Sequence, residues 1–592
     1  MVGAMRRQYR VTTDPFPARI QILATGMIFF MSLVTIRLFV QAVVAHPETR
    51  AKAEDQYLVR QTVDPHRGKI YAADASAEIE YPDAIEKTWK PLATNRRTYA
   101  LSVVPRNLLN PDEAAQILSP WVGQSATELA EKFSSDALYL PPIRRGLTED
   151  EKDQLTALKL RGLLLLEEEQ RYYPENDLAA HVLGFVNAEK KGNYGVEQRY
   201  NEDLRGTGGE VVAERDVRGR LLSASSERPV QDGIDVVLTI DRNVQGFVEQ
   251  TLAKALETYQ ATSGTIVLMN AKTGAILSMA SLPTYDPNAY RDVPQAEQSR
   301  FLNPAISAVW EPGSIFKTVI LAAGLEHGVI EPDTEEVFAA SVRVDNYDIY
   351  TAEKKAFGRE TMTQVLENSD NVGIVWVADR IGNEKMSETI NKFGFNRTLG
   401  IDLPGEVAGD SLPVEQWRNI HRATMSFGQG ISTTPLQIVT AMAALGNGGK
   451  LLQPHVVDQM IFPDGTRVPV ETKVLEPNVI SPETSAKITA MMVSVVENGH
   501  GKRAKVPGYA IAGKTGTAQI PSPEGGYYED RHIGGFAGFF PAENPEFAMV
   551  VKLDEPKTVK FAESSAAPTF GEVAAFVLNY YRVAPTEQIT EE

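Results

Sequence analysis

Glu311-Pro312-Gly313-Ser314-Ile315-Phe316-Lys317-Thr318 is the stretch on which the reading of this chain turns. A hydroxyl precedes an amine by three residues, and on a helix positions i and i+3 share a face one turn apart. Lys317 is therefore within reach of Ser314. A serine hydroxyl is a weak nucleophile until a neighbouring base accepts its proton, and a lysine of lowered pKa can do this. Pro312-Gly313 reads as a turn leading into the helix. Ser314 then falls in the first helical turn, where free N–H groups and the macrodipole favour developing negative charge. Alone the pattern says little, because Ser-x-x-Lys is expected by chance roughly twice in a chain of this length. Ser314 is the one serine that has it, and an exposed helical turn would read the same way.

Two later elements change its meaning. Ser369-Asp370-Asn371 reads as a helix cap or turn, or as a loop offering a hydroxyl and an amide to a pocket. Lys514-Thr515-Gly516-Thr517 follows the small, apolar run Tyr509-Ala510-Ile511-Ala512-Gly513 and reads as a strand carrying a cation and two hydroxyls. The chain supplies its own control. Lys272-Thr273-Gly274 repeats the tripeptide between Thr265–Met269 and Ala275–Met279, where two strand-like runs around Asn270–Gly274 predict a hairpin turn. Only the later copy follows Ser-x-x-Lys and Ser-x-Asn. In that order the three elements resemble the signature of penicillin-binding proteins and class A β-lactamases.

The composition agrees with an extracytoplasmic enzyme. A length of 592 residues implies two or more domains. With no cysteine there is no disulfide framework, thiolate zinc site or thiol nucleophile. The 59 basic and 77 acidic residues leave a net charge of −18, which argues against a nucleic-acid partner. No phosphate-binding loop, His-Glu-x-x-His or dinucleotide fingerprint occurs, so no cofactor and no metal is expected.

The N-terminus predicts a membrane anchor. Residues 20–45 form an apolar stretch long enough to cross a bilayer with tilt. Arg6, Arg7, Arg10 and Arg19 precede it against one acid, Asp14, and mixed charges follow it. The positive-inside rule places residues 1–19 in the cytoplasm and the rest outside the cell (inner) membrane. Arg37 interrupts the span and either snorkels to the interface or, with Gln41, faces a partner helix. A cleaved signal peptide ending at Val43-Val44-Ala45 competes. Its apolar region would far exceed the usual ~7–15 residues, which favours an uncleaved anchor.

Residues 46–240 have a separate character. Helical stretches are expected at 111–131 and 147–160, and strands at 99–104, 209–216 and 233–240, the last ending in a turn. No nucleophile and base pair up there, which predicts a structural stalk that lifts the catalytic domain off the membrane and meets partners.

With these pieces in place the chain resembles class B penicillin-binding proteins, the monofunctional transpeptidases that crosslink peptidoglycan, over nearly its whole length. Arg67-Gly68-x-Ile70 and Gly192–Gly206 look like the motifs of the family's pedestal. Leu238-Thr239-Ile240-Asp241 with Gln245 resembles the start of its catalytic domain. Phe427–Ser432 with Thr434–Gln437, and Phe536–Pro541, look like further family segments. Nothing resembles the glycosyltransferase domain of class A enzymes. The resemblance implies an α+β fold: a single transmembrane helix, an elongated α/β pedestal and a β-lactamase-like transpeptidase domain with a central antiparallel sheet flanked by helices. The corresponding segments are 1–19, 20–45, 46–240, 241–582 and a tail, 583–592. Strand-like runs at 264–269, 275–280, 507–519, 533–540 and 547–553 would build that sheet, with Lys514 on the edge strand facing the Ser314 helix and residues 520–531 as a loop beside the cleft.

The resemblance also implies roles. Ser314 attacks the D-Ala–D-Ala carbonyl. Lys317 is the base, its pKa lowered by Lys514. Ser369 relays a proton, and Asn371 holds Lys317 and the substrate amide. Thr515, Gly516 and Thr517 with Lys514 bind the terminal carboxylate, and the backbone N–H groups of Ser314 and Thr517 form the oxyanion hole. β-Lactams would be trapped on Ser314. Expected partners are peptidoglycan stem peptides, a SEDS-family glycosyltransferase and other divisome membrane proteins. Lys514–Gln519 and Ser426–Gln437 look more like septal enzymes and their sporulation relatives than like elongation enzymes; a β-lactamase, a β-lactam sensor or a divisome scaffold are the remaining readings. Asp370 stands where many septal relatives carry serine, and Gly534-Gly535 where relatives carry polar or small residues.

Overall fold

The computed structural model describes residues 16–46, 48, 58–75, 89–215, 221–352 and 354–586. Residues 1–15 of the expected cytoplasmic tail, with Arg6, Arg7, Arg10 and Asp14, lie outside the described residues, as do Asp216 and residues 587–592 of the C-terminal tail. The chain divides into two compact units, residues 1–65 with 207–231 and residues 66–206 with 232–592.

In the first unit, the helix Phe16–Phe39 runs on through a π turn, Val40–Val44. Residues 19–44 make a 26-residue apolar span, long enough for a hydrocarbon core of about 30 Å. Its side chains point outward all round: Ile22 and Leu23 are 71% and 74% exposed. Its hydroxyl side chains are satisfied within the helix, since those of Thr25, Ser32 and Thr35 each donate to the carbonyl four residues back at 2.8 Å. Arg37 falls in the last helical turn. The same unit holds an antiparallel sheet of Leu58–Val63, Gly209–Arg215 and Leu221–Arg228, with Leu58 opposite Glu214 and Ala213 opposite Ala224.

The second unit is built on two sheets. One is mixed and carries Arg67-Gly68-x-Ile70 and the chain's path into the catalytic part. Ile70–Ala73 pairs parallel with Asp235–Asp241 and antiparallel with Lys90–Val103, which in turn pairs with Leu163–Tyr172. Three charged groups close it. Glu197 is fully buried and accepts from Arg67 Nη2 and Arg171 Nε, each at 2.6 Å. A methyl on Gly68 would stand 2.0 Å from Ile234 O, so only glycine fits where these segments cross. The Arg67 and Gly192–Gly206 segments are thus two halves of one buried ion-pair network.

The other sheet is antiparallel and five-stranded, in the order Ile276–Leu282, Ser263–Asn270, Phe547–Asp554, Tyr527–Phe540, Ala512–Pro521. Both of its faces are covered. Val267, Met269, Ala548 and Val550 join one core with the helix Pro435–Gly446. Ile266, Leu268, Met549 and Val551 join another, with the helices Arg242–Tyr259 and Ala566–Tyr580. That is why these strands read as continuous apolar runs and not as alternation.

Several local expectations shift. The expected helix at 111–131 is two helices, Pro111–Val122 and Ala126–Phe133: Gly123 turns left-handed (φ 71°) and Ser125 opens the second with a capping box. The strand at 233–240 does not end in a turn. Asp235–Asp241 passes straight into Arg242–Tyr259, because the Asp241 carboxylate accepts the N–H groups of Asn243 and Val244 at 2.9 and 3.0 Å. The strand expected at 507–519 begins at Ala512, since Pro507 has no N–H and Gly508 takes φ 83°. Residues 520–531 are not all loop. The two strands run on into a hairpin whose turn is 522–526, closed by Ser522 N–H to Gly526 O at 2.9 Å with Gly525 and Gly526 at positive φ.

Candidate active site

Ser314 lies in a 3-10 turn, Gly313–Phe316, that feeds the helix Lys317–Glu326. The turn packs against the edge strand Ala512–Pro521: a methyl on Gly516 would stand 2.7 Å from Pro312 O and 2.9 Å from Ile315. Strand alternation puts Lys514 on the same face of the sheet as Gly516. Ser369-Asp370-Asn371 joins the helix Met362–Glu367 to Asn371–Ile381, and Asp370 caps the second through the Val372 N–H at 2.8 Å. The cap and pocket readings of this tripeptide hold together: the aspartate makes the turn, and its neighbours face the lysines.

Both amines are fully buried. Lys317 Nζ donates to Ser369 O at 2.5 Å, Asn371 Oδ1 at 2.7 Å and Ser369 Oγ at 3.2 Å. Lys514 Nζ meets the same Ser369 Oγ at 3.1 Å, with Thr515 O at 3.0 Å and Thr515 Oγ1 at 3.3 Å. Ser369 makes this meeting possible by adopting φ 55°, a left-handed backbone uncommon outside glycine and costly for serine. Asn371 Nδ2 is anchored on Tyr350 O at 3.0 Å.

Among the described residues no group hydrogen-bonds the Ser314 hydroxyl. The Lys317–Ser314 hydrogen bond expected from i, i+3 spacing is not made: a carbonyl, Ser369 O, and an amide oxygen, Asn371 Oδ1, hold the amine instead. A neutral amine has two N–H groups, and those two acceptors use both. Its lone pair is then turned to the third neighbour, Ser369 Oγ at 3.2 Å, with which it can share a proton.

Burial pushes Lys317 well below the ordinary lysine range, with the charge of Lys514 adding and Asp370 opposing. The sequence pointed to Lys514 as the cause, and desolvation is the larger one. Burial brings Lys514 itself down to about 7.

A further segment shapes the nucleophile turn. Gly313 (φ 55°) donates its N–H to Gly428 O at 3.2 Å, and a methyl on Gly428 (φ 77°) would stand 2.2 Å from Gly313 O. Glu311 ties down two rims. It accepts the Gly430 N–H at 2.9 Å and the Tyr527 hydroxyl at 2.9 Å, so the 522–526 hairpin is latched three residues before Ser314. Gly535 accommodates Trp310, whose ring would lie 2.8 Å from a methyl there, which accounts for the glycine at 535. The Thr517 hydroxyl accepts the Ala562 N–H at 3.1 Å and keeps its own proton to donate.

Ser314, Lys317, Ser369, Asn371, Lys514, Thr515, Gly516 and Thr517 thus fall in one place. Lys272 does not: it sits on the 263–282 hairpin turn and pairs with Glu546 at 3.5 Å. Nothing in the sequence singles out Glu311 or Tyr527, whereas glycine at 428 is the residue type that a close backbone approach requires.

Comparison with known proteins gives the family. The family described as penicillin binding protein transpeptidase domain matches residues 264–575, and the penicillin-binding protein dimerisation domain matches residues 62–238. Stage V sporulation protein D of Bacillus subtilis is 33% identical over 578 residues, 96% of this chain and 87% of that protein. The peptidoglycan D,D-transpeptidase FtsI of Escherichia coli K12 is 33% identical over 446 residues, 75% of this chain and 73% of that protein. Penicillin binding protein 3 of Mycobacterium tuberculosis, solved with aztreonam, superposes with a TM-score of 0.69 at 26% identity, covering 90% of this chain and all of that one.

Proposed function

We propose that this chain, which belongs to the class B penicillin-binding protein family, crosslinks peptidoglycan at the division septum from an anchor in the cytoplasmic membrane. Its chemistry is that of a peptidoglycan D,D-transpeptidase, a serine acyltransferase. The proposed organisation is a cytoplasmic tail to residue 19, an anchor at 20–45, a pedestal at 46–240 and a transpeptidase domain at 241–582, with all but the tail and anchor outside the membrane. A SEDS-family glycosyltransferase and divisome membrane proteins are its proposed partners. The resemblance of Lys514–Gln519 and Ser426–Gln437 to septal enzymes supports the septal assignment.

In the proposed reaction Ser314 Oγ attacks the D-Ala–D-Ala carbonyl and its proton passes to the Lys317 lone pair. The oxyanion forms against the backbone N–H groups of Ser314 and Thr517; losing one such donor costs about 2.7–4 kcal/mol in acyl transfer. The amide C–N bond then breaks, and the departing D-alanine nitrogen takes a proton through Ser369. An amine of a second stem peptide attacks the acyl-serine, the C–O bond breaks, and Ser314 regains its proton. Lys514, Thr515 and Thr517 hold the terminal carboxylate. A β-lactam follows the first half of this path and remains on Ser314.

The observation that carries the reading is the convergence on one hydroxyl: Lys317 and Lys514 both contact Ser369 Oγ, at 3.2 and 3.1 Å. Labelling cells with a fluorescent penicillin tests it. Wild type should label stably at mid-cell, and Ser314→Ala should not label. Side-wall signal would refute the septal role, and rapid release of the label would point to a β-lactamase.

A further inference from the structure

Beneath the Ser369-Asp370-Asn371 turn two carboxyl groups meet away from solvent. Asp370 is fully buried, and Glu360, on the short strand Gly358–Thr361, is 3% exposed. One oxygen of each is accounted for: Asp370 Oδ1 accepts the Val372 N–H at 2.8 Å, and Glu360 Oε1 accepts Asn368 Nδ2 at 2.6 Å. The other two, Asp370 Oδ2 and Glu360 Oε2, are buried with no donor. The carboxyls lie within hydrogen-bonding reach of each other. Two adjacent buried carboxylates cannot both stay charged at modest cost. One proton between them forms an O–H···O bond and satisfies both orphan oxygens.

The remaining charges around the pair are few. Glu367 adds negative potential from the helix Met362–Glu367, and its carboxylate takes the Ser494 hydroxyl. Lys317 faces Asp370 from the helix Lys317–Glu326, with Lys514 beyond it on the edge strand. Burial, helped by Asp370 and Glu367 and opposed by Asn368, pushes Glu360 up to about 7. Asp370 is also raised by burial, against the pull of the Val372 N–H, Lys317 and the Gly373 N–H. Asp370 accepts the Val372 N–H and faces Lys317, both of which favour its charged form, so Glu360 carries the proton.

We propose that Glu360 is a positioning residue for acylation: the proton it shares with Asp370 holds the charge beneath Lys317 at one negative unit and so leaves the amine free to act as base. Loss of that proton places a second negative charge there, which favours the ammonium form of Lys317. Asp370 can then occupy the middle of the motif, where relatives often carry serine, without capturing the catalytic lysine as an ion pair. The inference rests on Lys317 being the base.

The test is the pH profile of acylation of the full-length, detergent-solubilised protein by a fluorescent penicillin, wild type against Glu360→Gln. The glutamine amide donates to Asp370 at every pH and does not ionise. The rising limb of the variant should lie at lower pH than that of wild type, by up to about one pK unit of coupling to Lys317, so the ratio of variant to wild-type acylation rate rises above one on that limb and returns toward one above it. A ratio that stays constant with pH overturns the proposal, as does a variant that melts like wild type yet acylates at no pH. If Glu360→Gln does not fold, Asp370→Asn keeps the helix cap and leaves a single negative charge, so the same rise is expected and a flat ratio overturns the proposal. Lys317→Ala run in parallel separates the two readings, since acylation retained there refutes Lys317 as base whatever Glu360 does.

Discussion

Lys514 Nζ stands 3.1 Å from Ser369 Oγ, a contact that spans 145 positions of sequence. It joins the edge strand of the sheet to the turn between two helices, and it leaves that hydroxyl between two buried amines. A hydroxyl placed there can take a proton from one side and give it to the other. Ser369→Ala should lower acylation by a fluorescent penicillin by about 10²–10⁴, the usual worth of a positioned proton carrier. Stability should change by only about 1 kcal/mol, because Lys317 keeps Ser369 O and Asn371. Stopped-flow acylation together with thermal melting checks both, and an unchanged acylation rate removes Ser369 from the relay.

The two amines give acylation a pH profile with two limbs. Lys317 is held well below the ordinary lysine range, by burial first and Lys514 second, and it works as a base only when unprotonated. Raising the pH therefore increases the rate. Lys514 titrates at about 7, and as it loses its charge it loses its hold on a substrate carboxylate, so the rate falls again. Second-order acylation rates report these ionisations in the free enzyme. Lys514→Met should be slower throughout and lack the falling limb. Stability follows its own direction: the unfolded lysine keeps its proton to about 10.4, the folded one releases it at about 7, so the contribution of Lys514 to stability grows as pH rises between them. A wild-type rate that never falls at alkaline pH rules out this role for Lys514.

How much of this was legible in the sequence follows from the physics of each part. The residues gathered at the site were readable because short motifs carry them: Ser314 and Lys317 three residues apart where a 3-10 turn enters a helix, Ser369 and Asn371 in one turn, Lys514 and Thr517 on one strand. The sheet was readable because strands covered on both faces become uninterrupted apolar runs. Where a strand or helix ended was less readable, since caps such as Asp241 and left-handed breaks such as Gly123 act through single residues. The Glu311–Tyr527 latch and the Glu360–Asp370 pair were not legible at all. Each joins residues from different motifs, and an isolated glutamate or tyrosine carries no sign of its partner.

Gly428 is the position where backbone, and no side chain, shapes the nucleophile. Its φ is 77°, and a methyl group there would stand 2.2 Å from Gly313 O, one residue before Ser314. Gly428→Ala must move one of the two segments and break the Gly313 N–H to Gly428 O bond. A left-handed alanine costs about 1–2 kcal/mol before the clash is counted, so the melting temperature should drop modestly. Acylation should drop further, by about 10² for a displacement near 1 Å. A variant that loses stability but keeps its acylation rate would show that the Ser314 turn does not depend on this contact.

The Arg67–Glu197–Arg171 cluster supports the pedestal and not the chemistry, and its variants should separate the two. Glu197 is fully buried with a guanidinium on each oxygen. Burial raises its carboxyl, but Arg171 and Arg67 together outweigh this and hold it below the ordinary range. Its contribution is therefore present at neutral pH and lost only as pH falls through that lowered value. Glu197→Ala leaves two buried guanidiniums facing each other and should cost about 3–5 kcal/mol, read as a lower melting temperature. Replacing one arginine should cost less than replacing the glutamate, because Arg67→Met leaves Glu197 paired with Arg171, whose Nη1 also donates to Gly68 O at 2.8 Å. Penicillin acylation by whatever fraction of Glu197→Ala folds should match wild type, since none of the three residues touches Ser314, Lys317, Ser369 or Lys514. A folded Glu197→Ala protein with impaired acylation would mean that the pedestal sets the geometry of the catalytic site as well as carrying it.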